Sequence, residues 1–539
     1  MDNYFVSSCK RVKDWICRQF GQKEKKTVHH KKFADGGEVI VWETGRAGEE
    51  AASYENLFLR KEIAGFRTNI RREQSCSIKS LTRDYLYKQL LSSGEYTFDH
   101  MLVIKDPYGE APLTALALFI LEEPACVRVT TKGNLKETDF VTELPKKKEH
   151  RVPILGMYAE KANDIVIEIL DDEGNCVKSH TFTIRTKRLP KSLRNVITVK
   201  KWTDKPAYSN IMINGGVKIH TCVFDIEGEI RYYLSRKPRG YGIFPLSDGH
   251  FFYMEKYISV PSYSNPQTVE SYDMDYFGRV FRTYLTEKGV HHTAEEKAGG
   301  NILTGSNSML EHTEDCVIEI DRQTGEIVWQ LNMAEIFDET YQNMMDWCHV
   351  NSAAYYEKDR TILISLRNVH AVICVDYDTK KLRWILSDPK FWEGTKMTPY
   401  LLQPEGDVKW CYQQHAAFEI ALPDESNPQK KRIIVYDNHW AKRRKAKSFD
   451  KDPLSYVSFY DIDEEKKTVS LHKRFAGPKT RIRANGIYVP DKRRVYNMAG
   501  SYAEPVDGDG GGIFEYDYET GEVLSEFGVK PGFFRAYPF

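Results

Sequence analysis

One pattern of apolar and polar positions recurs through the C-terminal two-thirds of this 539-residue chain. Two or three apolar residues alternate with polar ones, an Asp follows, then a short Gly-containing or polar turn, then a second alternating run. It stands as CVFDIEGEIRYYL (222–234), YDMDYFGRVFRTYL (272–285), VIEIDRQTGEIVWQL (317–331), VICVDYDTKKLRWIL (372–386), FYDIDEEKKTVSL (459–471) and IFEYDYETGEVLSEF (513–527). Period-two alternation lays successive side chains on opposite faces of a strand, and Asp followed closely by Gly or Lys reverses the chain, so each stretch predicts a β-hairpin. The turn residues Asp225, Asp275, Asp321, Asp376, Asp463 and Asp517 are separated by 50, 46, 55, 87 and 54 residues. Hairpins returning every ~40–50 residues are what propeller blades look like in sequence. Six hairpins predict a six-bladed β-propeller over residues 189–539, with an insertion in the longest spacing. That insertion carries the basic run KRRKAK (442–447), which reads as a solvated loop.

Residues 66–188 show a different texture. Short alternating runs such as ACVRVTTKG, DIVIEILDDEG and HTFTIRTK are divided by turn signals, which predicts a small β-sandwich ahead of the propeller. Residues 1–65 form an extension: Val6, Cys9, Val12, Trp15, Ile16 and Phe20 fall near helical spacing, as in a small docking helix, and the charged stretch 22–35 reads as loosely ordered. The fold class is therefore all-β, which 12% aromatic content with 32 Tyr supports.

Composition narrows the partners. The 77 basic and 77 acidic side chains cancel, leaving no electrostatic footprint for nucleic acid or an acidic membrane surface. No apolar run is long enough for a membrane span, and the N-terminus has no continuous apolar stretch of the signal-peptide kind, so the expected location is cytoplasmic. Ten scattered cysteines with no CxxC pair exclude the usual zinc spacings and suit buried thiols in a reducing compartment.

The chain has no Walker-type phosphate loop and no HExxH. DGDGGG (507–512) lacks an acidic residue at the twelfth position, Tyr518, and reads as a loop rather than a calcium site. In VHHTAEE (290–296) strand alternation would send the adjacent histidines to opposite faces, so they would not share a metal, and at most one would line a central funnel. His349 and Asn351, two apart in DWCHVNS, would share a face. Arg367 interrupts the apolar run ILISLRNVHAVICVD, and His415 does the same in KWCYQQHAAFEI. Each alone reads as a packed structural group; together, near the ends of blade strands, they point to an anion site assembled from several blades.

These segments carry a resemblance. DWCHVNSAAYY with the following SLR, QQHAAFE, HTAEEKAGGNILTGS (292–306) and DPYGEAPLTALALF (106–119) resemble the bacterial arylsulfate sulfotransferase family, over most of residues 70–539. The resemblance implies a six-bladed propeller behind a β-sandwich. It also implies transfer of a sulfuryl group from an aryl sulfate to a phenolic acceptor, by a ping-pong route through a sulfohistidine, with no nucleotide donor, cofactor or metal. Position by position, His415 matches the nucleophile, His349 and Arg367 match residues that hold the sulfate oxygens, and His292 matches the remaining active-site histidine. Asn351 falls on the motif as a further sulfate-binding group. A homodimer is left open. Two departures stand out: residues 390–410 contain no Cys where secreted members carry a disulfide, and YDNHW (436–440) replaces the family's Asp-Asn-Gly, adding His439.

The residue types suit that chemistry. Imidazole, with an ordinary pKa of about 6.5, is partly neutral and nucleophilic near pH 7. A sulfuryl group in flight spreads charge over its oxygens, and the fixed fork of Arg367 is a donor set for them. A departing phenolate gains from protonation, for which His292 is the candidate. Two rivals remain: a quinone-dependent dehydrogenase, because DRQTGEIVW (321–329) resembles that propeller family's repeat, and a propeller scaffold without catalysis. Six repeats rather than eight argue against the first, and the His/Arg set against the second.

Overall fold

The computed structural model describes residues 28–33, 37–52, 54, 76–203, 205–216, 218–236, 241–258, 267–308, 312–342, 344–422, 427–440 and 452–539. The helical spacing at Val6–Phe20 and the basic run at 442–447 lie outside them. The chain divides into two compact units, one of residues up to Lys132 with Phe140–Gly156 and Asn163–Ile184, the other of Gly133–Asp139, Met157–Ala162 and Arg185–Phe539.

The first unit holds one hydrogen-bonded sheet of seven strands, in the order Val28–Lys32, Glu38–Trp42, His100–Lys105, Ala115–Thr131, Ala162–Leu170 and Cys176–Arg185, with Phe140–Ile154 also along Ala115–Thr131. Where a sandwich was expected from 66 onward, this sheet begins earlier: Val28–Lys32, inside the stretch expected to be loosely ordered, pairs with Glu38–Trp42 through its backbone while its side chains stay exposed. Alternation did not reveal it because nothing in it is buried. The helix Cys76–Ser92 is a second departure from the all-strand reading of this region, and its Ile78, Leu86 and Leu91 are buried.

The second unit is propeller-like, built of antiparallel meanders, and all six predicted hairpins form. The turn aspartates act as expected. Asp321 Oδ1, for example, accepts the backbone N–H groups of Gln323 and Thr324 at 2.8 Å. The meanders lie in five sheets. One of seven strands runs from Gly242–Pro245 to Ile327–Asn332, and in it two meanders share the 17-residue strand Val280–Glu296. The ends of the unit cross over: Ile197–Lys201 pairs with Val523–Val529 of the last sheet, and Arg535–Pro538 pairs with Asn210–Asn214 of the first. Core residues fill the spaces between sheets; Trp347, Trp392 and Phe337 pack between Cys316–Ile320 and the sheet of Val350–Leu386. Among the described residues, no helix is long and apolar enough to cross a membrane.

Candidate active site

Each meander opens on a strand that packs against its neighbours' first strands. Gly242–Pro245 lies against Val280–Glu296, and the series continues through Val350–Tyr356, His415–Ile420, Asn485–Val489 and the closing Arg535–Pro538. At or just before the starts of these strands stand Tyr241, His349, His415, Arg483 and Arg535, and His291 with His292 stand at the bulge within Val280–Glu296. All are polar groups gathered at one end of the inner strands.

The backbone there is irregular in a repeated way. His292, His349, Gln413, Ala416 and Arg483 have φ between 50° and 64°, the left-handed region that side chains other than Gly rarely occupy. Pairing shifts register between His291 and Ala294, Val350 and Ser352, and His415 and Phe418. Such bulges re-aim side chains and cluster at functional sites, where strain is held by the surroundings. Two sequence expectations fail for this reason. His291 and His292 are not on opposite faces, for their Nδ1 atoms are 3.2 Å apart. His349 and Asn351 do not meet common partners: His349 meets carboxylates, whereas Asn351 Nδ2 donates to Gln414 O of the next sheet at 2.8 Å. Period two holds only along an unbroken strand.

His415 is 4% exposed and its Nδ1 lies 2.6 Å from Asn438 Oδ1. The Asn438 amide is oriented by its own Nδ2, which donates to Thr480 Oγ1 at 2.8 Å. The oxygen therefore faces the ring, His415 carries its proton on Nδ1, and the Nε2 lone pair is left for chemistry. Burial first, then the charge of Arg367, with His349 and Arg535 adding, hold this imidazole well below its ordinary 6.5. It is neutral at pH 7.

His349 is held the other way. Its Nδ1 is 2.9 Å from Asp346 Oδ2 and 2.5 Å from Glu314 Oε2. Burial alone would depress it, but Asp346 and Glu314 outweigh burial and raise it to about 9, so it is an imidazolium at pH 7. Its ring centroid is 4.7 Å from that of His292. Burial, then the neighbouring His349, His291 and His415, keep His292 well below 6.5. A ring that stays neutral is a poor proton donor; of these two rings it is His349 that carries the extra proton.

Arg367 does not interrupt a strand; it follows Thr361–Leu366 as the first residue of a 3₁₀ turn. Its backbone N–H donates to His349 O at 3.1 Å and its NH2 to Gln413 Oε1 at 3.0 Å, which places the guanidinium between the His349 and His415 segments. Asn351 serves as an inter-sheet tie, and Arg535 NH2 donates to its carbonyl at 2.7 Å. His439 Nδ1 lies 2.9 Å from Asp437 Oδ2, next in sequence to Asn438 and with its ring 5.1 Å from that of Tyr412.

Ligand-type atoms of His291, His292 and Glu314, and of Glu314, Asp346 and His349, lie within 4.8 Å of one another in two sets that share Glu314. In composition either could take a divalent cation, but only by displacing hydrogen bonds that now occupy the same atoms. Sequence reasoning missed Glu314, Asn438 and Arg535, and used Asp346 only as a motif letter. Asn438 had a signal, since it sits beside His439 in the departing YDNHW segment; Glu314 had none beyond being acidic ahead of an apolar strand.

A neutral imidazole with one free nitrogen, a charged one and a guanidinium gathered at the inner strands of a propeller-like fold suit an enzyme that transfers an anionic group. The comparisons agree. Residues 195–535 match the family model described as arylsulfotransferase (ASST), and residues 102–187 match the arylsulfotransferase Ig-like domain. The chain belongs to the arylsulfotransferase family and is a sulfotransferase. It is 22% identical over 563 aligned positions to an arylsulfate sulfotransferase of Lelliottia amnigena, covering 79% of this chain and 90% of that protein. It is 23% identical, with the same coverage, to one from Escherichia coli O6:H1 strain CFT073. Among solved structures, a Bacteroides caccae protein of unknown function aligns at a TM-score of 0.39 and 11% identity, over 61% of this chain and 98% of that one.

Proposed function

We propose that this enzyme moves a sulfuryl group from an aryl sulfate to a phenolic acceptor in two half-reactions through a sulfohistidine at His415. In this reading the second unit is a six-bladed propeller, the two meanders that share Val280–Glu296 counting separately, and the first unit is its sandwich-like companion. The observation that carries the reading is the 2.6 Å contact between His415 Nδ1 and Asn438 Oδ1, which leaves Nε2 unprotonated in a ring kept neutral at pH 7.

In the first half-reaction His415 Nε2 attacks sulfur, the bond from sulfur to the aryl oxygen breaks, and that oxygen takes the Nε2 proton of His349. Arg367, with Arg535 adding its charge at His415, faces the charge spread over the three remaining oxygens. In the second, the acceptor oxygen attacks sulfur, its proton passes to His349, and the bond from His415 to sulfur breaks. His292 stays neutral against His349 and lines the site.

The test is release of 4-nitrophenol from 4-nitrophenyl sulfate with excess phenol, comparing the parent protein with His415→Ala. Phenol-dependent release by the parent, a sulfurylated His415 peptide trapped without acceptor, and neither in the variant are expected. Release that ignores phenol would mean hydrolysis instead of transfer and would defeat the reading.

A further inference from the structure

Glu314 takes no part in the steps above, yet its surroundings are built with care. It is fully buried, has φ of 57°, and stands just ahead of the strand Cys316–Ile320. Its backbone is pinned on both sides: its N–H donates to Asn307 Oδ1 at 2.8 Å, and its carbonyl accepts from Val350 N at 2.7 Å, one residue past His349. The carboxylate then reaches three first strands at once. Oε2 is 2.5 Å from His349 Nδ1, while Oε1 accepts from Tyr241 OH at 3.1 Å and lies 3.8 Å from His292 Nδ1.

We propose that Glu314 is a positioning residue for the transfer: one carboxylate that fixes the ring orientation of His349 and stands behind His292, so that His349 presents Nε2–H to the aryl oxygen. This rests on His349 as the acid of the proposed reaction. The geometry accounts for a carboxylate here despite the cost of burying it, because its charge is offset by the adjacent imidazolium and Oε1 accepts a phenol O–H, whereas an unpaired carboxylate would have neither. It also divides labour with Asp346. Asp346 belongs to the same segment as His349, three residues earlier, and can only follow it. Glu314 comes from the sheet before that of His349, so it ties the His349 ring to a frame outside its own strand and brings the same carboxylate close to His292.

The charge on His349 answers to every group around it. Asp346 and Glu314 favour the cation, while His292 lies in ring contact with it and His415 is coupled to its charge. Tyr241 shares the Glu314 carboxylate, and burial pushes its phenol well above the ordinary range, so it stays protonated. Neutralising Glu314 removes one of two cation-favouring charges.

The experiment compares the parent with Glu314→Gln on two donors, phenyl sulfate, whose leaving group needs a proton, and 4-nitrophenyl sulfate, whose leaving group needs it less. For phenyl sulfate we expect kcat to fall by about 100-fold, the lower range for loss of general acid catalysis, with KM little changed. With 4-nitrophenyl sulfate the fall should be under tenfold, and the basic limb of the kcat profile should move below that of the parent. Equal losses on both donors with an unmoved limb would reduce Glu314 to a structural group and overturn the inference. A stoichiometric divalent cation in the parent that is lost in Glu314→Gln would overturn it too, by making Glu314 a metal ligand. If the variant does not fold, histidine ¹⁵N shifts of the parent decide: a doubly protonated His349 at pH 7.5 is expected, and a neutral one overturns the inference. No transfer by the parent on either donor would instead defeat the sulfotransfer reading itself.

Discussion

His349 and His415 both stand at the start of an inner strand and are 8% and 4% exposed, yet they are held in opposite charge states. Burial pushes both toward neutrality, since a charged ring loses more hydration than a neutral one. What separates them is the partner on Nδ1. His415 meets a neutral amide oxygen and lies in the field of Arg367, so burial wins. His349 meets two carboxylates, and they win. Depth in the fold therefore does not set the charge of these rings; the atom behind each ring does.

The strongest break in this contrast is His415→Ala, which removes the proposed nucleophile and should lower transfer by at least ~10⁴-fold, read from initial rates. Next is Arg367→Ala. It should cost about 2–4 kcal/mol in the barrier, as for a lost oxyanion donor, measured as kcat with 4-nitrophenyl sulfate. Arg367→Lys should recover little, because a point charge cannot reproduce the planar fork.

The contrast is sharpened by Asn438→Asp, which gives His415 the kind of partner His349 has. In the parent, transfer should persist on the acid side down past 6.5, since His415 remains neutral there, and decline on the basic side near pH 9 as His349 loses its proton. A carboxylate beside His415 favours its charged form and raises its pKa, so the acid limb of the variant should move to higher pH, with rates at pH 6 falling about tenfold. An unmoved acid limb would separate Asn438 from the nucleophile. The smallest effect is expected from Asn351→Ala. Losing its bond to Gln414 O should cost about 1–3 kcal/mol of stability, seen in the urea midpoint, with a lesser change in kcat.

Much of the site was legible in the chain. His292, His349, Arg367 and His415 all fall in the inner-strand cluster, and their charges perturb one another. Their roles were less legible. That His292 is held neutral and His349 charged was not legible, because a motif carries residue types and not the burial and carboxylates that set protonation. Two-residue spacing placed Asn351 on one face with His349, an alternation that the bulge after Val350 breaks. Val28–Lys32 escaped notice because it is held by backbone pairing that leaves no trace in hydrophobic spacing.

By itself the sequence determined most of the local elements of the second unit. The six hairpins follow from alternation and turn aspartates, which act within about fifteen residues, and the all-β character follows from their number. Only the tertiary structure decided what those hairpins do together. It brought Glu314, Asn438 and Arg535 against residues far away in the chain, bulged the inner strands so that two adjacent histidines meet, and gave two similar rings opposite charges. Each of these depends on distances across sheets and on the water excluded between them, and neither is written in the spacing of residues along one strand.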